Sequence, residues 1–384
     1  MNLSFNIISS YGDISEELFD FIKAHDEDFY PPISKRKTIT DYVRSIFDID
    51  GRFLACYDNG KLVGLLGIAL AHPTFIHFYH YAAIDSDYRN KGIASALFQK
   101  AEEICRAHGA QRVTARTWSL NKTSQLLLES NGFVHVDTVT DDRGKGVHTY
   151  YYTKSLADMK FRQPVKLLGM IGGMGTYSTG MFAQTISCVP KTIIEEQQLL
   201  PFIIVNDPTV PNRIKYITEH REAELTEKLK EVISLLPQGK LSHILFLCFT
   251  IHPYIRSLDI DSNVEILDLV TISEYLVKRS GKKYLLLATN IVYTHSYFHS
   301  DNIHFPGDQH DKRIQEVIRD VKAGIAPPHY YRQEVVAMAK ANDCDGILIG
   351  CTDIHNMFGF DKAYNGIEVI DPLIELALII NGNR

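Results

Sequence analysis

One pattern constrains this chain more than any other, and it occurs twice. The apolar run Ile-Leu-Phe-Leu leads into Cys248, and the run Ile-Leu-Ile-Gly leads into Cys351. Each cysteine has a threonine within two residues, Thr250 or Thr352, and a histidine four residues on, His252 or His355. Short apolar runs alternating with amphipathic segments predict buried parallel strands in βα units. Strands are expected at Lys166–Ile171, Phe202–Asn206, His243–Cys248, Lys283–Ala288 and Gly346–Gly350. Lys166–Gly173 and Lys283–Asn290 also correspond, each a strand entering a turn, so this region reads as a duplicated half-domain. A duplicated half-domain usually builds its site between the halves. Ligands of open α/β sheets lie beyond the carboxyl ends of strands, where both cysteines are predicted to sit.

The chain has 384 residues, enough for two domains of ~100–200 residues each. The first part reads as strand, helices, three strands, helix, strand, helix, strand. Asp58-Asn59-Gly60 is a hairpin signal between Arg52–Tyr57 and Leu62–Ala71, and Phe75–Ile84 is a further strand. Ile93–His108 has helical periodicity, with Gly109 as its expected cap. The polar stretch Thr138–Gly146 is a hairpin turn before a last strand, His148–Thr153. Domains are therefore expected over 1–156 and 165–384, joined by a polar connector over 157–164.

Charged residues at 22% and apolar residues at 45% suit soluble globular domains. A net charge of −6 gives no basic surface for a nucleic-acid partner. No apolar run is long enough for a bilayer, and the N-terminus lacks the pattern of a signal peptide. Six scattered cysteines without framework spacing fit a reducing, cytoplasmic setting, where a special cysteine is catalytic or metal-binding.

Two thiols at equivalent strand ends suit proton exchange at an amino-acid Cα. One removes the proton from one face, the other returns it to the opposite face, and the roles swap in reverse. Two other readings compete. Buried free cysteines are commonly small apolar residues, and the two Cys-x-x-x-His pairs could form a four-ligand zinc site, although their spacing is unusual for one. Gly173-x-Gly175-x-x-Ser178 falls one glycine short of a dinucleotide fingerprint.

Several motifs together resemble the aspartate/glutamate racemase family over essentially all of 165–384. Leu168-Gly-Met-Ile-Gly-Gly-Met-Gly-Thr176 resembles its opening glycine turn, which takes a substrate carboxylate through Gly173, Met174 and Gly175. Leu247-Cys-Phe-Thr250 and Gly350-Cys-Thr-Asp353 resemble its two cysteine motifs. Pro208-Thr-Val-Pro-Asn-Arg213, Val321-Lys-Ala-Gly324 and Asp371-Pro372 resemble its remaining segments. The resemblance implies Cys248 and Cys351 as acid/base residues and no cofactor or metal. It also implies Arg213 and Lys322 on the distal carboxylate, with Thr250, Thr352 and Asp353 as further contacts, and a possible homodimer. Phe249 stands where the family has asparagine, Asp353 where it has glutamate, and Asn290-Ile-Val-Tyr-Thr294 where it has Glu-Gly-Thr. These departures leave the reaction better defined than the amino acid, and they leave room for a degenerate, amino-acid-sensing module.

The first part resembles the GNAT acetyltransferase superfamily. Tyr88-Arg-Asn-Lys-Gly-Ile-Ala94 follows a strand and opens a helix whose free N–H groups suit a pyrophosphate. The resemblance implies acetyl-CoA on Ile84, Arg89, Asn90, Lys91, Gly92, Ile93 and Ala94, with Asn121 and Ser124 from the next conserved segment. Leu127 and Leu128 occupy the region where the family often has a tyrosine acid. Tyr81, His80 and Asp85 are candidates for proton transfer, with ordinary strand roles equally open. The expected fold class is α/β: a GNAT-type mixed sheet with helices, then a pseudo-duplicated pair of parallel-sheet subdomains of the racemase type. Joining the two suggests that the acetyl acceptor is the racemised amino acid.

Overall fold

The computed structural model describes residues 1–70, 76–108, 110, 112–156, 159, 161–189, 199–255 and 257–382. Its chain divides into two compact units, one over Met1–Asp158 and one over Met159–Val189 with Glu196–Arg384. Gly109, part of the expected connector and the start of the Phe75–Ile84 strand lie outside the described residues.

In the first unit the elements run β1 (Leu3–Ile8), α1 (Glu16–Ala24), α2 (Ile39–Phe47), β2 (Gly51–Asp58), β3 (Lys61–Ala69), β4 (Ile76–Ile84) and α3 (Ile93–Ala107). They continue with β5 (Arg112–Trp118), α4 (Lys122–Ser130), β6 (Val134–Val139) and β7 (Thr149–Ser155). The seven strands form one mixed sheet in the order β1-β2-β3-β4-β5-β7-β6. Only the β4–β5 pair is parallel.

Strand periodicity divides the core between two faces. Phe53 and Ala55 of β2 pack with Leu18, Ile22, Val43 and Ile46 of α1 and α2. Leu54 and Cys56 pack with Leu97, Phe98 and Ala101 of α3. On β4 this alternation breaks. Gly67 of β3 pairs with Tyr81 and Ile68 with Tyr79, so His80 is an extra residue. Such a bulge sends Tyr79 to the α3 face and Tyr81 to the α1/α2 face. The β4–β5 ladder covers only Ile76–Tyr79 against Arg112–Ala115; beyond it the strands part.

The second unit contains two sheets. The first half supplies β8 (Leu168–Gly172), α5 (Thr176–Cys188), β9 (Phe202–Asn206), α6 (Arg213–Thr218), α7 (Glu222–Ser234), β10 (His243–Phe246), α8 (His252–Ile255), β11 (Glu265–Leu267) and α9 (Leu269–Ser280). The second supplies β12 (Tyr284–Leu287), α10 (Asn290–Thr294), β13 (Ile303–His304), α11 (Asp308–Lys322), α12 (Arg332–Ala341), β14 (Gly346–Ile349), β15 (Ala363–Tyr364), β16 (Ile367–Ile370) and α13 (Pro372–Gly382). The sheets are ordered β9-β8-β10-β11 and β13-β12-β14-β16-β15. Apart from the antiparallel β15, the second order repeats the first, and the matched strands are all parallel. The duplicated architecture expected from the sequence is therefore present.

Helix α13 is predominantly apolar, with Leu373, Ile374, Leu376, Leu378, Ile379 and Ile380 all buried and its one buried carboxylate, Glu375, paired with Lys362. It packs against α5 and α9 of the opposite half, as a mostly apolar helix must find partners on several sides. Asp371 precedes it and fixes its start. The buried carboxylate accepts from His355 Nδ1 at 2.9 Å and from the main-chain N–H of Asn356 at 2.8 Å and Leu373 at 3.1 Å. Burial raises its pKa, but His355 and these donors outweigh it and hold it below the ordinary value of 3.8. A depressed folded pKa contributes stability above the unfolded pKa, which is lost as pH falls through the folded value. Asp371→Asn is expected to destabilise by ~1–3 kcal/mol at pH 7. Thermal unfolding below pH 4 should then show a flatter acid dependence for the variant than for the wild type.

Candidate active sites

The two cysteines of the second unit have matched backbones. Cys248 (φ −163°, ψ 117°) and Cys351 (φ −132°, ψ 125°) are each extended, and each is followed by one 3₁₀ turn, Phe249–Ile251 or Thr352–Ile354. Each lies just past the carboxyl end of its strand, β10 or β14. Both line one cavity of about 60 Å³ and are 6% exposed. Thr352 Oγ1 donates to the carbonyl of Leu247 at 3.1 Å, and Tyr297 donates to the carbonyl of Thr250 at 2.8 Å, fixing both turns.

Met174, Arg213, Thr250, Lys322, Thr352 and Asp353 line the same cavity, as the sequence leads one to expect. The structure adds Asn212, Ile214, Phe249 and Thr289. Asn212 caps α6 by accepting from Lys215 N–H at 3.2 Å, and so positions Arg213 at the helix start. The guanidinium of Arg213 donates to the carbonyls of Met174 and Pro211. Lys322, in the last turn of α11, lies 3.4 Å from Asp353 Oδ2. The other oxygen, Asp353 Oδ1, is buried without a hydrogen-bond partner. Burial, then the Asp353 charge, pushes the Cys351 thiol well above its ordinary range.

Gly173 and Gly175 are not among the residues that line the cavity. Gly173 has φ +85°, and a Cβ there would lie 2.2 Å from the carbonyl of Asp207. At Gly175 a Cβ would lie 2.1 Å from Asp353 Oδ1. Both glycines permit close approach of these groups.

The zinc reading fails on geometry. His252 Nδ1–H donates to the Cys248 carbonyl at 2.8 Å, and its Nε2 accepts from Leu269 N–H at 3.0 Å. His355 bonds Asp371 through Nδ1 and Thr185 through Nε2 at 3.1 Å. All four ring nitrogens are thus engaged away from the thiols. Among the described residues no group of three or more His, Cys, Asp or Glu is arranged to hold a metal.

In the first unit, the parting of β4 and β5 opens a cavity of about 760 Å³. Ile84, Arg89, Asn90, Gly92, Ile93, Ala94, Asn121 and Ser124 line it. Lys91 does not; its ammonium lies over the ring of Tyr88, 4.8 Å from the centroid. Gly92 precedes α3 with no side-chain cap, leaving the N–H groups of a fifteen-residue helix open to an anion. Asn121 instead caps its own helix, accepting from Ser124 N–H at 3.0 Å. Arg89 donates to Asp28 at 2.5 Å and to the Ile84 carbonyl at 3.2 Å. Leu127 and Leu128 line the cavity where a tyrosine acid would stand. Tyr81 and His80 line it too, and the Tyr81 hydroxyl is buried without a partner. Asp85 does not; it pairs with Lys61 at 2.9 Å.

Residues 171–378 match the family described as Asp/Glu/Hydantoin racemase, and residues 18–133 match the Acetyltransferase (GNAT) family. The first of these matches takes in more than half the chain: the protein belongs to the Asp/Glu/Hydantoin racemase family, and a GNAT domain precedes the racemase region. Among solved structures it is similar to the Picrophilus torridus aspartate racemase, with 23% identity, 56% of this chain and 94% of that one covered, and a TM-score of 0.47. An N-acetyltransferase from Staphylococcus aureus Mu50 is 19% identical over 40% of this chain and 99% of its own, with a TM-score of 0.34. An aminoglycoside 6'-N-acetyltransferase complexed with coenzyme A is 13% identical over 42% and 100%, with a TM-score of 0.36. No curated protein matches the chain.

Gly175→Ala should force Asp353 out of place. The expected result is loss of any reaction at the cavity with the fold retained, checked by circular dichroism alongside the exchange assay described below.

Proposed function

We propose that the second unit is a cofactor-independent amino-acid racemase using Cys248 and Cys351, and that the first is an acetyl-CoA-dependent N-acetyltransferase. The observation that carries the racemase reading is the pair of thiols at equivalent strand ends lining one cavity. Cys351, kept protonated by burial and by Asp353, is the resting acid. Cys248 is then the base that takes the Cα proton. Cys351 returns a proton to the opposite face, and the pair then stands ready for the reverse direction.

The charges narrow the substrate. Lys322 is shared with Asp353, whereas Arg213 meets only neutral carbonyls. One cation is therefore left for a carboxylate, and the unpartnered Asp353 Oδ1 provides an acceptor for the α-ammonium. These two groups fit the α-carboxylate and α-ammonium of an amino acid, and the family match is what adds aspartate and glutamate as candidates. Phe249, buried against His252 and Phe298, supplies an apolar wall. That wall favours a second reading, in which the cavity binds an amino acid without turning it over and regulates the acetyltransferase.

Incubation with amino acids in deuterated water separates the two. For a racemase, Cα deuterium appears, and Cys248→Ala and Cys351→Ala each lower its rate by ~10²–10⁴. Binding without deuterium uptake in any variant is the sensor's result.

For the first unit, the uncapped α3 N-terminus and the residues around it support pyrophosphate binding. Gly92→Asp places a carboxylate at that start and is expected to weaken acetyl-CoA by at least ~10-fold in calorimetric titration.

A further inference from the structure

The GNAT cavity has a second end. The α3 start and α4 flank the sheet face that carries Tyr79, whereas the bulge at His80 turns Tyr81 to the other face, among α1 and α2. On β5, Ala115 packs on the α3 face, so its neighbour Arg116 points to the α2 side by strand alternation. Arg36 and Arg143 reach the same cavity from the segment before α2 and from the β6–β7 turn. The three guanidiniums are close enough to act on one another: burial, then Arg116 and Arg36, press the Arg143 pKa downward. Burial, then Arg116, likewise lowers His80 to about 4, leaving its imidazole uncharged. Arg143 is held by neutral acceptors, Thr149 Oγ1 at 3.0 Å and the Tyr30 carbonyl. The carboxylate that lines this cavity, Asp28, is taken by Arg89. Asp142 and Asp26 offset part of the charge on Arg143 and Arg36, so the group keeps a net positive charge, with Arg116 over the ring of Phe78.

We propose that the acceptor of the acetyl group is an amine that also carries a carboxylate, a free amino acid, with Arg36, Arg116 and Arg143 holding that carboxylate. This rests on the acetyltransferase reading above. Guanidiniums pair with carboxylates through two parallel hydrogen bonds, and the same cluster repels a polycationic acceptor. The free amine of the bound amino acid attacks the thioester carbonyl. The N–C bond forms, the C–S bond breaks, the amine nitrogen loses a proton to water, and the departing CoA thiolate takes one up.

The full chain is assayed with acetyl-CoA and the common amino acids in both L and D forms. Each is paired with its carboxamide, and kanamycin is the polycationic comparison. The expected result is a kcat/KM at least ~10-fold higher for the acid than for the amide, with kanamycin inactive. Arg116→Ala should raise the amino-acid KM at least ~10-fold and leave the acetyl-CoA KM unchanged, and Arg116→Lys should restore part of the loss. Equal use of acid and amide, or preference for kanamycin, overturns the assignment. So does a rise in the acetyl-CoA KM for Arg116→Ala, which gives the cluster to the nucleotide phosphates. CoA binding by calorimetry distinguishes the levels. Binding without acetylation of any amino acid removes only this assignment, whereas no binding removes the acetyltransferase reading as well.

Discussion

The hydrogen bond from Thr352 Oγ1 to the carbonyl of Leu247 ties together the two halves of the second unit where it matters most. It joins the residue before one cysteine to the residue after the other, across 105 positions of chain. Both groups are buried, so leaving either unpaired is costly, and the bond fixes the two strand ends against each other. The rest of the cavity depends on that alignment. Each thiol is set by a single extended residue followed by a 3₁₀ turn, and neither turn could present its sulfur to a shared space if the halves slid. The two histidines four residues on serve the same end by different routes. His252 is bonded to its own cysteine's carbonyl and to the start of α9; His355 is bonded to Asp371 at the start of α13. Two equivalent positions thus anchor a following helix in two different ways.

The buried strands β8, β9, β10, β12 and β14 were legible because each extends an apolar run of the sequence. Phe202–Asn206 matches the expected bounds, and the cysteine strands end one or two residues early. β11, β13, β15 and β16 were not foreseen. They are two to four residues long and lack a longer apolar run of their own; pairing with an existing strand makes them strands. Arg213, Thr250, Lys322, Thr352 and Asp353, named from the motifs, all line the cavity. Asn212, inside the same proline-rich motif, and Ile214 escaped notice because what places them is a helix cap, not a spacing. For Gly173 and Gly175, a glycine turn looks the same in sequence whether its freedom serves a ligand or the close approach of Asp207 and Asp353. The arginine cluster left no local signal, since Arg36, Arg116 and Arg143 come from three separate elements.

A single inserted residue organises the first unit in a comparable way. Without the bulge at His80, Tyr79 and Tyr81 would share a face and β4 could go on pairing with β5. With it, the ladder stops at Tyr79 and Ala115, and a cavity opens to both faces of the sheet. Phosphate chemistry and amine chemistry can then occupy opposite sides of one sheet, with the reacting carbonyl between them. The bulged residue is itself tied down, since Tyr42 donates to the His80 carbonyl at 3.1 Å.

The two cavities differ more than tenfold in volume, yet their charges make the same demand. Each contains positive charge beyond its local carboxylates: Arg213 once Lys322 and Asp353 have paired, and the Arg36, Arg116 and Arg143 group, which Asp142 and Asp26 offset only in part. Each is also lined by residues with a buried oxygen without a partner, Asp353 Oδ1 in one and the Tyr81 and Thr117 hydroxyls in the other. A surplus cation beside an unfilled polar oxygen is satisfied by a molecule bearing a carboxylate and an amine. An amide or a polyamine satisfies only one of the two. Burial makes that preference sharp, because a desolvated charge left unpaired costs more than its pair contributes in water. On the proposed functions, the chemical class each unit would select is set by what its site leaves unpaired.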